Sequence, residues 1–394
     1  MFSRRTSWQL APNRFSLALE KHRAAGREVL DLTASNPTEI GLRYEQQVIL
    51  NALGNPEALH YRPEPQGLKS AREAVAAYYG ERGEQVDPGR IVLTTSTSEA
   101  YAFVFRLLCD AEDEVLVPAP SYPLFEFLAD LQDVRLRPYP LLYDHGWQVD
   151  LHALRAALTP RTRALMAVHP NNPTGSYLKP SEAKQLSAVC ADRGLALVVD
   201  EVFLDFAHDG VARPSLAAGR TVYAPALTFS LSGLSKIAGL PQMKFAWIAV
   251  SGPEELVAGA LARLEVISDT YLSVNAPVQL AAPVFFEQRR EFQRQLMVRI
   301  HNNLAELDRQ VALRPSCTRL EVEGGWYAVL RVPATRPDEE LAVELLEQTG
   351  VLVHPGHFYA FPADGYIVLS LITPEGEFRE GLSRVVRQFQ NLKF

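Results

Sequence analysis

Lys236 stands in the run Ser230-Leu-Ser-Gly-Leu-Ser-Lys-Ile-Ala-Gly-Leu-Pro241, just past the apolar stretch Ala226-Leu-Thr-Phe-Ser. A lysine at the mouth of a buried strand, walled by apolar residues, is a poor solubilising charge. Desolvation disfavours its ammonium form and leaves an amine nucleophile suited to a carbonyl carbon. A Schiff base with an aldehyde cofactor is the obvious use. Taken alone, the same lysine fits a strand-end side chain that snorkels to solvent. Its company decides the matter.

Three further polar segments each follow an apolar run. Thr94-Thr-Ser-Thr-Ser-Glu-Ala100 follows Ile91-Val-Leu and opens a helical pattern. Small hydroxyls and free backbone N–H groups at a helix start suit a phosphate; a plain serine N-cap with Glu99 in the first turn is the simpler use. His169-Pro-Asn-Asn-Pro-Thr-Gly175 follows Val168. These are turn formers, yet the two asparagines also hold amide groups rigidly at the sheet mouth. Asp200-Glu201 ends the run Leu195-Ala-Leu-Val-Val. An acid there can cap a helix or pair with a base; beside a pyridine nitrogen it would keep the ring protonated and electron-withdrawing.

The elements that must position these residues alternate. Arg90-Ile-Val-Leu-Thr, Glu114-Val-Leu-Val-Pro, Arg163–His169, Gly194–Asp200, Ala226–Ser230 and Phe245–Val250 read as short buried strands, with helical patterns such as Glu99–Leu108 and Pro180–Val189 between them. Apolar strands alternating with helices predict an α/β domain around a mostly parallel sheet, which binds ligands at its strands' carboxyl ends. After about residue 285 the character changes. A charged helix over 286–311, strands at 320–332 and 366–371, and helices near 338–349 and 375–392 predict a smaller α+β domain. The expected division is 46–285 for the large domain, with 1–45 and 286–394 forming the small one.

Composition narrows the function classes. The 394 residues are 47% hydrophobic and 22% charged, which is ordinary for a soluble chain with a large core. Net charge is −7 with no basic run, which argues against nucleic acid and for a small-molecule ligand. The three cysteines, Cys109, Cys190 and Cys317, are widely spaced and suit a reducing compartment. No apolar run approaches membrane-spanning length and the N-terminus has no signal-like apolar core, so the cytoplasm is the expected location.

A phosphate cradle, an amide, an acid and a lysine therefore occur in order, each after a buried strand. In this the chain resembles the class I/II aminotransferases of the aspartate-aminotransferase superfamily, fold type I pyridoxal-phosphate enzymes. The resemblance runs from Asn36-Pro-Thr to Pro355-Gly-His and rests on the ordered set Tyr61…Gly67, Pro118…Tyr122-Pro, Asn171-Asn-Pro-Thr-Gly, Asp200-Glu-Val and Ser-Lys236. It implies pyridoxal 5′-phosphate as cofactor, Lys236 as Schiff-base residue and proton shuttle, and Asp200 as partner of the pyridine nitrogen. Asn172 would bond the ring 3′-oxygen, and Tyr122 would stack on the ring. Ser96, Thr97, Ser98 and Ser235, with Ser232, would hold the phosphate. Tyr61 would reach the phosphate of a neighbouring subunit, which implies a homodimer, and Trp8 in the N-terminal arm would clasp the partner. The implied reaction moves an amino group between an amino acid and a 2-oxo acid. A C–S lyase on the same scaffold and a non-catalytic pyridoxal-phosphate-binding protein are the alternatives.

Three positions depart from the family's pattern. Phe203 stands where a tyrosine is usual, which removes one hydrogen bond to the ring oxygen. Lys244 replaces a phosphate-binding arginine and keeps charge without the bidentate fork. Val368, in Gly365-Tyr-Ile-Val-Leu-Ser370, occupies the place of the arginine that grips the substrate carboxylate. Arg43, Arg62 and His357 are the substitutes that sequence position suggests. Trp326, Tyr327, Phe358 and Tyr359 suggest a neutral or modestly apolar amino acid, or else simply a core.

Overall fold

The computed structural model describes residues 1–218, 225–272, 274–313 and 316–390. Its centre is an eight-stranded sheet in the order Ile91–Thr94, Ala246–Ser251, Thr228–Gly233, Ala196–Asp200, Thr162–Val168, Glu114–Ala119, Arg135–Tyr143, Trp147–Val149. The strands from Thr228–Gly233 through Arg135–Tyr143 pair in parallel. Ala246–Ser251 pairs antiparallel with both of its neighbours. The sheet is thus mostly parallel, as expected. Its inner strands are buried along their whole length, which is why they read as continuous apolar runs rather than alternating ones.

The edge hairpin Arg135–Tyr143 and Trp147–Val149 was not expected. Its longer strand carries Pro138, Pro140 and two arginines and is largely exposed, so it lacks the apolar signature. Prolines are tolerated at such an edge because the missing N–H faces no full ladder.

A second sheet has the order Thr318–Arg319, Tyr327–Arg331, Tyr366–Ser370, His354–Pro355, all antiparallel. The N-terminal segment joins this end of the molecule, where Leu30–Asp31 pairs in parallel with Val351–Leu352. The helix Asp338–Thr349 lies where expected, and Glu375–Gln390 starts on its expected residue, the expected end at 392 lying outside the described residues.

The long helix is a correction. It spans Ala276–Ala312 and begins ten residues before the expected start, at an Asn275 N-cap whose side chain accepts the Val278 N–H. Pro277 sits in the first turn, where a proline costs nothing, and Pro283 lies inside the helix. The charged half alone was visible in the sequence. The apolar half is buried through Val278, Ala281, Ala282 and Phe285, so it lacks a polar face to reveal its period. One continuous helix consequently runs across the expected boundary at residue 285.

Candidate active site

The carboxyl ends of the parallel strands and one edge of the small sheet enclose a cavity of about 240 Å³. Lys236, in the turn of helix Leu234–Ile237 that follows strand Thr228–Gly233, lines it. Its Nζ lies 4.9 Å from the centre of the Trp326 ring and 5.8 Å from that of Phe203. Burial pushes this amine down to about 8, against the opposing pull of the Asp200 carboxylate. The neutral, nucleophilic form is therefore far more accessible near neutral pH than in an ordinary lysine.

Asp200 ends its strand inside the same cavity and is buried. Its Oδ2 accepts the Tyr101 hydroxyl at 2.7 Å and its Oδ1 accepts the Val202 N–H at 3.0 Å. Burial raises its pKa above the ordinary carboxylate value, while these two donors and Lys236 pull it back down. Tyr122 also lines the cavity, and burial together with the charge of Asp200 pushes its hydroxyl up to about 12.

The two adjacent asparagines divide their work. Asn171 builds the turn: its Nδ2 donates to the Pro120 carbonyl, and its Oδ1 accepts the Thr174 hydroxyl at 2.9 Å. Asn172 lines the cavity, and its buried Oδ1 has no hydrogen-bond partner among the described residues. Such an orphan is costly unless a ligand engages the amide. The turn closes at Gly175, whose φ is +69° and where a Cβ would overlap Val322 and the Gly324 carbonyl, so only glycine fits.

Of the hydroxyl cluster, Thr97 reaches the cavity, as does Ser235. Ser96 acts as the N-cap of helix Thr97–Leu108, its Oγ accepting the Glu99 N–H at 3.1 Å. Glu99 folds back to accept from the Thr95 N–H at 2.7 Å and from its hydroxyl, so the capping arrangement holds for Ser96. Ser98 is exposed and does not line the cavity. Ser232 is buried beneath the sheet end, its hydroxyl donating to the Glu201 carbonyl. Lys244 is exposed at φ +53° and lies off the cavity.

Tyr61 is 79% exposed and borders a different, open groove with Leu59, Arg62 and Leu272. Arg62 pairs there with Glu57 at 2.6 Å. Arg43 is exposed and tied through its backbone to Gln295, and His357 is exposed against the edge of Phe358. None of these three reaches the cavity. Trp8 packs on its own chain, edge-on to Phe127 at 5.5 Å and donating to Asp130 at 2.8 Å.

Ser35 and His354, which have no role from sequence, complete the polar lining with Tyr327 and Tyr359, two of the aromatics that suggested the substrate class. Val368 is buried and stands in register opposite His354 on the neighbouring strand. His354 Nδ1 lies 2.9 Å from the Tyr359 hydroxyl, and burial lowers the imidazole pKa, with Asp31 opposing. The region that lacks an arginine at 368 thus presents an imidazole and phenols. The alternation of strand residues gave a faint signal for these positions, but nothing in sequence says which face turns inward.

The sequence profile described as aminotransferase class I and II matches residues 27–384. The chain belongs to this family. A glutamate–pyruvate aminotransferase of Escherichia coli is 25% identical over 372 residues, covering 92% of this chain and 90% of the relative. An aspartate/prephenate aminotransferase of Thermus thermophilus is 29% identical over 382 residues, covering 94% and 93%. The solved structure of an alanine aminotransferase from Pyrococcus furiosus superposes with a TM-score of 0.90 at 20% identity, covering all of both chains, which supports the same fold. This aminotransferase is therefore a pyridoxal-phosphate-dependent transferase of fold type I. Its cavity suits that cofactor: an amine for the aldehyde, a carboxylate for the pyridine nitrogen, and in Asn172 a side-chain amide whose N–H can donate to the ring oxygen. Among the described residues, no helix is long and apolar enough to cross a membrane.

Proposed function

We propose that Lys236, Asp200, Asn172, Tyr122, Thr97 and Ser235 are the working residues of this aminotransferase, and that its amino donor is a small neutral or modestly apolar amino acid. The convergence of the lysine, the acid and the orphaned amide on one cavity carries the reading. Bound pyridoxal phosphate supplies an electron-withdrawing ring that acidifies the donor's Cα–H. Lys236 Nζ would hold the cofactor's aldehyde group and, when released by the donor, would be the base that moves the proton at Cα. An amine whose pKa lies at about 8 suits both halves of that transfer. Asp200 would face the pyridine nitrogen and keep it protonated, Asn172 would donate from its amide N–H to the ring oxygen, Tyr122 would cover a ring face, and Thr97 and Ser235 would hold the phosphate at a helix N-terminus.

The donor class follows from what is left. Apart from Lys236, the lining holds no lysine or arginine among the described residues, and Ser35, Tyr327, His354 and Tyr359 are neutral donors and acceptors. Such a lining favours a compact donor over one with a second carboxylate. A relative named for alanine transfer agrees with this. A screen of the twenty amino acids for loss of the bound cofactor's visible band tests it. Alanine-like donors should bleach the band and yield their 2-oxo acids. A response confined to aspartate, or release of pyruvate with free ammonia, would overturn the reading.

We infer further that the chain acts in the cytoplasm as a homodimer. The exposed Leu50, Leu59, Tyr61 and Leu272 support this, three of them rimming the groove beside Arg62. Sedimentation at micromolar concentration should give twice the 43.8 kDa chain mass. A monomer would remove the role of Tyr61.

A further inference from the structure

The hydroxyl that Asp200 accepts comes from a residue that plays no part in the roles given so far. Tyr101 lies one turn into helix Thr97–Leu108, the helix whose N-terminus meets the cavity. Its ring is 2% exposed and sits edge-on to Phe125 at 5.3 Å, and Phe125 in turn meets Tyr122 edge-on at 5.5 Å. The hydroxyl reaches Asp200 Oδ2 at 2.7 Å. Burial and the charge of Asp200 push this phenol's pKa well above its ordinary value, so near neutral pH Tyr101 donates and Asp200 accepts. The Val202 N–H occupies the other oxygen at 3.0 Å. One donor on each oxygen fixes the plane of the carboxylate while leaving lone pairs on the cavity side.

A tyrosine is an expensive residue for this place if it only fills space. A phenylalanine would pack against Phe105, Phe125 and the sheet without a buried hydroxyl to satisfy. What the hydroxyl adds is directed at a single atom of the group assigned to the pyridine nitrogen. We propose that Tyr101 is a positioning residue for Asp200, orienting its carboxylate and holding it as an anion for the cofactor. This rests on the role of Asp200 given above. A donor shared with Asp200 also draws some charge from the carboxylate, so Tyr101 tunes how strongly the ring nitrogen is held as well as where.

The test is a double-mutant cycle on cofactor binding, with Tyr101→Phe made in the wild-type chain and in Asp200→Asn. Apoenzyme is titrated with pyridoxal phosphate, and the visible band of each loaded protein is titrated with pH. Tyr101→Phe in the wild-type background should weaken cofactor binding about tenfold and shift the midpoint of the band, as expected for losing a hydrogen bond to a charged group. In the Asp200→Asn background the same change should alter affinity by less than about twofold, because the partner charge is gone. Equal losses in both backgrounds would reduce Tyr101 to packing and overturn the proposal. So would an unchanged affinity and midpoint in the wild-type background. Wild-type affinity in Asp200→Asn alone would instead remove the reading of Asp200 itself, and the proposal with it.

Discussion

The two walls of the cavity are built on different principles. The large sheet delivers Asp200 from the end of a buried strand, and Asn172 and Lys236 from the segments that follow the two strands beside it. The small sheet delivers Tyr327 and His354 from antiparallel strands, with Tyr359 from the turn after His354-Pro355. On the function proposed above, the first wall serves the cofactor and the second the substrate; the second also supplies Trp326, whose ring centre lies 4.9 Å from the Lys236 amine. Rigid strand ends suit an unchanging ligand; a wall made of turns and short strands suits one that differs among relatives.

Substitutions on the two walls should therefore have different signatures. Asp200→Ala, on the large-sheet wall, should lower kcat by ~10²–10³ and weaken cofactor binding, as for loss of a preorganised electrostatic partner. Steady-state kinetics with saturating cofactor reads this, and an unchanged kcat would break the comparison.

Lys236→Met should stabilise the cofactor-free protein by about 1–3 kcal/mol at pH 7, since it removes a buried amine. The folded amine binds its proton at about 8 and the free side chain at 10.5, so between these the unfolded chain holds more protons. Wild-type stability then rises with pH across that window, and the advantage of the variant should fade toward pH 10.5. Denaturant melts at several pH values check it, and a constant difference would contradict the burial argument.

His354→Ala, on the opposite wall, should raise the donor KM about tenfold, with kcat and cofactor affinity nearly unchanged. A loss of cofactor instead would mean that the two walls are not separate in function. The smallest effect is expected from Phe203→Tyr, which restores a phenol beside the lysine. It should lower the pH midpoint of the cofactor's visible band by about one unit, the size of one hydrogen bond to a charged oxygen.

Sequence reading was uneven along the same division. Strands such as Ala196–Asp200 announce themselves because burial on both faces makes them continuously apolar, and the polar residue that ends each one stands out. Asp200 stands out that way, whereas Lys236 and Asn172 lie beyond their strands and gain meaning only from the ordered set of motifs. Of the hydroxyl cluster, Thr97 lines the cavity, Ser96 caps the helix and Ser98 is exposed, a division that sequence spacing alone does not show. Lys244 was expected on the phosphate by its spacing from Lys236, yet its left-handed backbone turns it to the surface. Tyr327 and Tyr359 read as substrate contacts or core alike, and His354 carries no signal, because which side of a short antiparallel strand faces the cavity depends on how it docks, not on its local pattern. Tyr101 was hidden for a related reason: on a mostly apolar helix face it reads as core until Asp200 is seen beside its hydroxyl.

The central claim is that Lys236 is the residue that binds the cofactor covalently and moves the proton. Purified Lys236→Ala protein mixed with pyridoxal phosphate, followed by borohydride reduction and peptide mass spectrometry, tests it directly. The wild-type chain should carry the reduced cofactor on Lys236, and the variant should carry none, lack the visible band and lose transamination. A cofactor-labelled peptide at another lysine, with band and activity intact in the variant, would contradict the account.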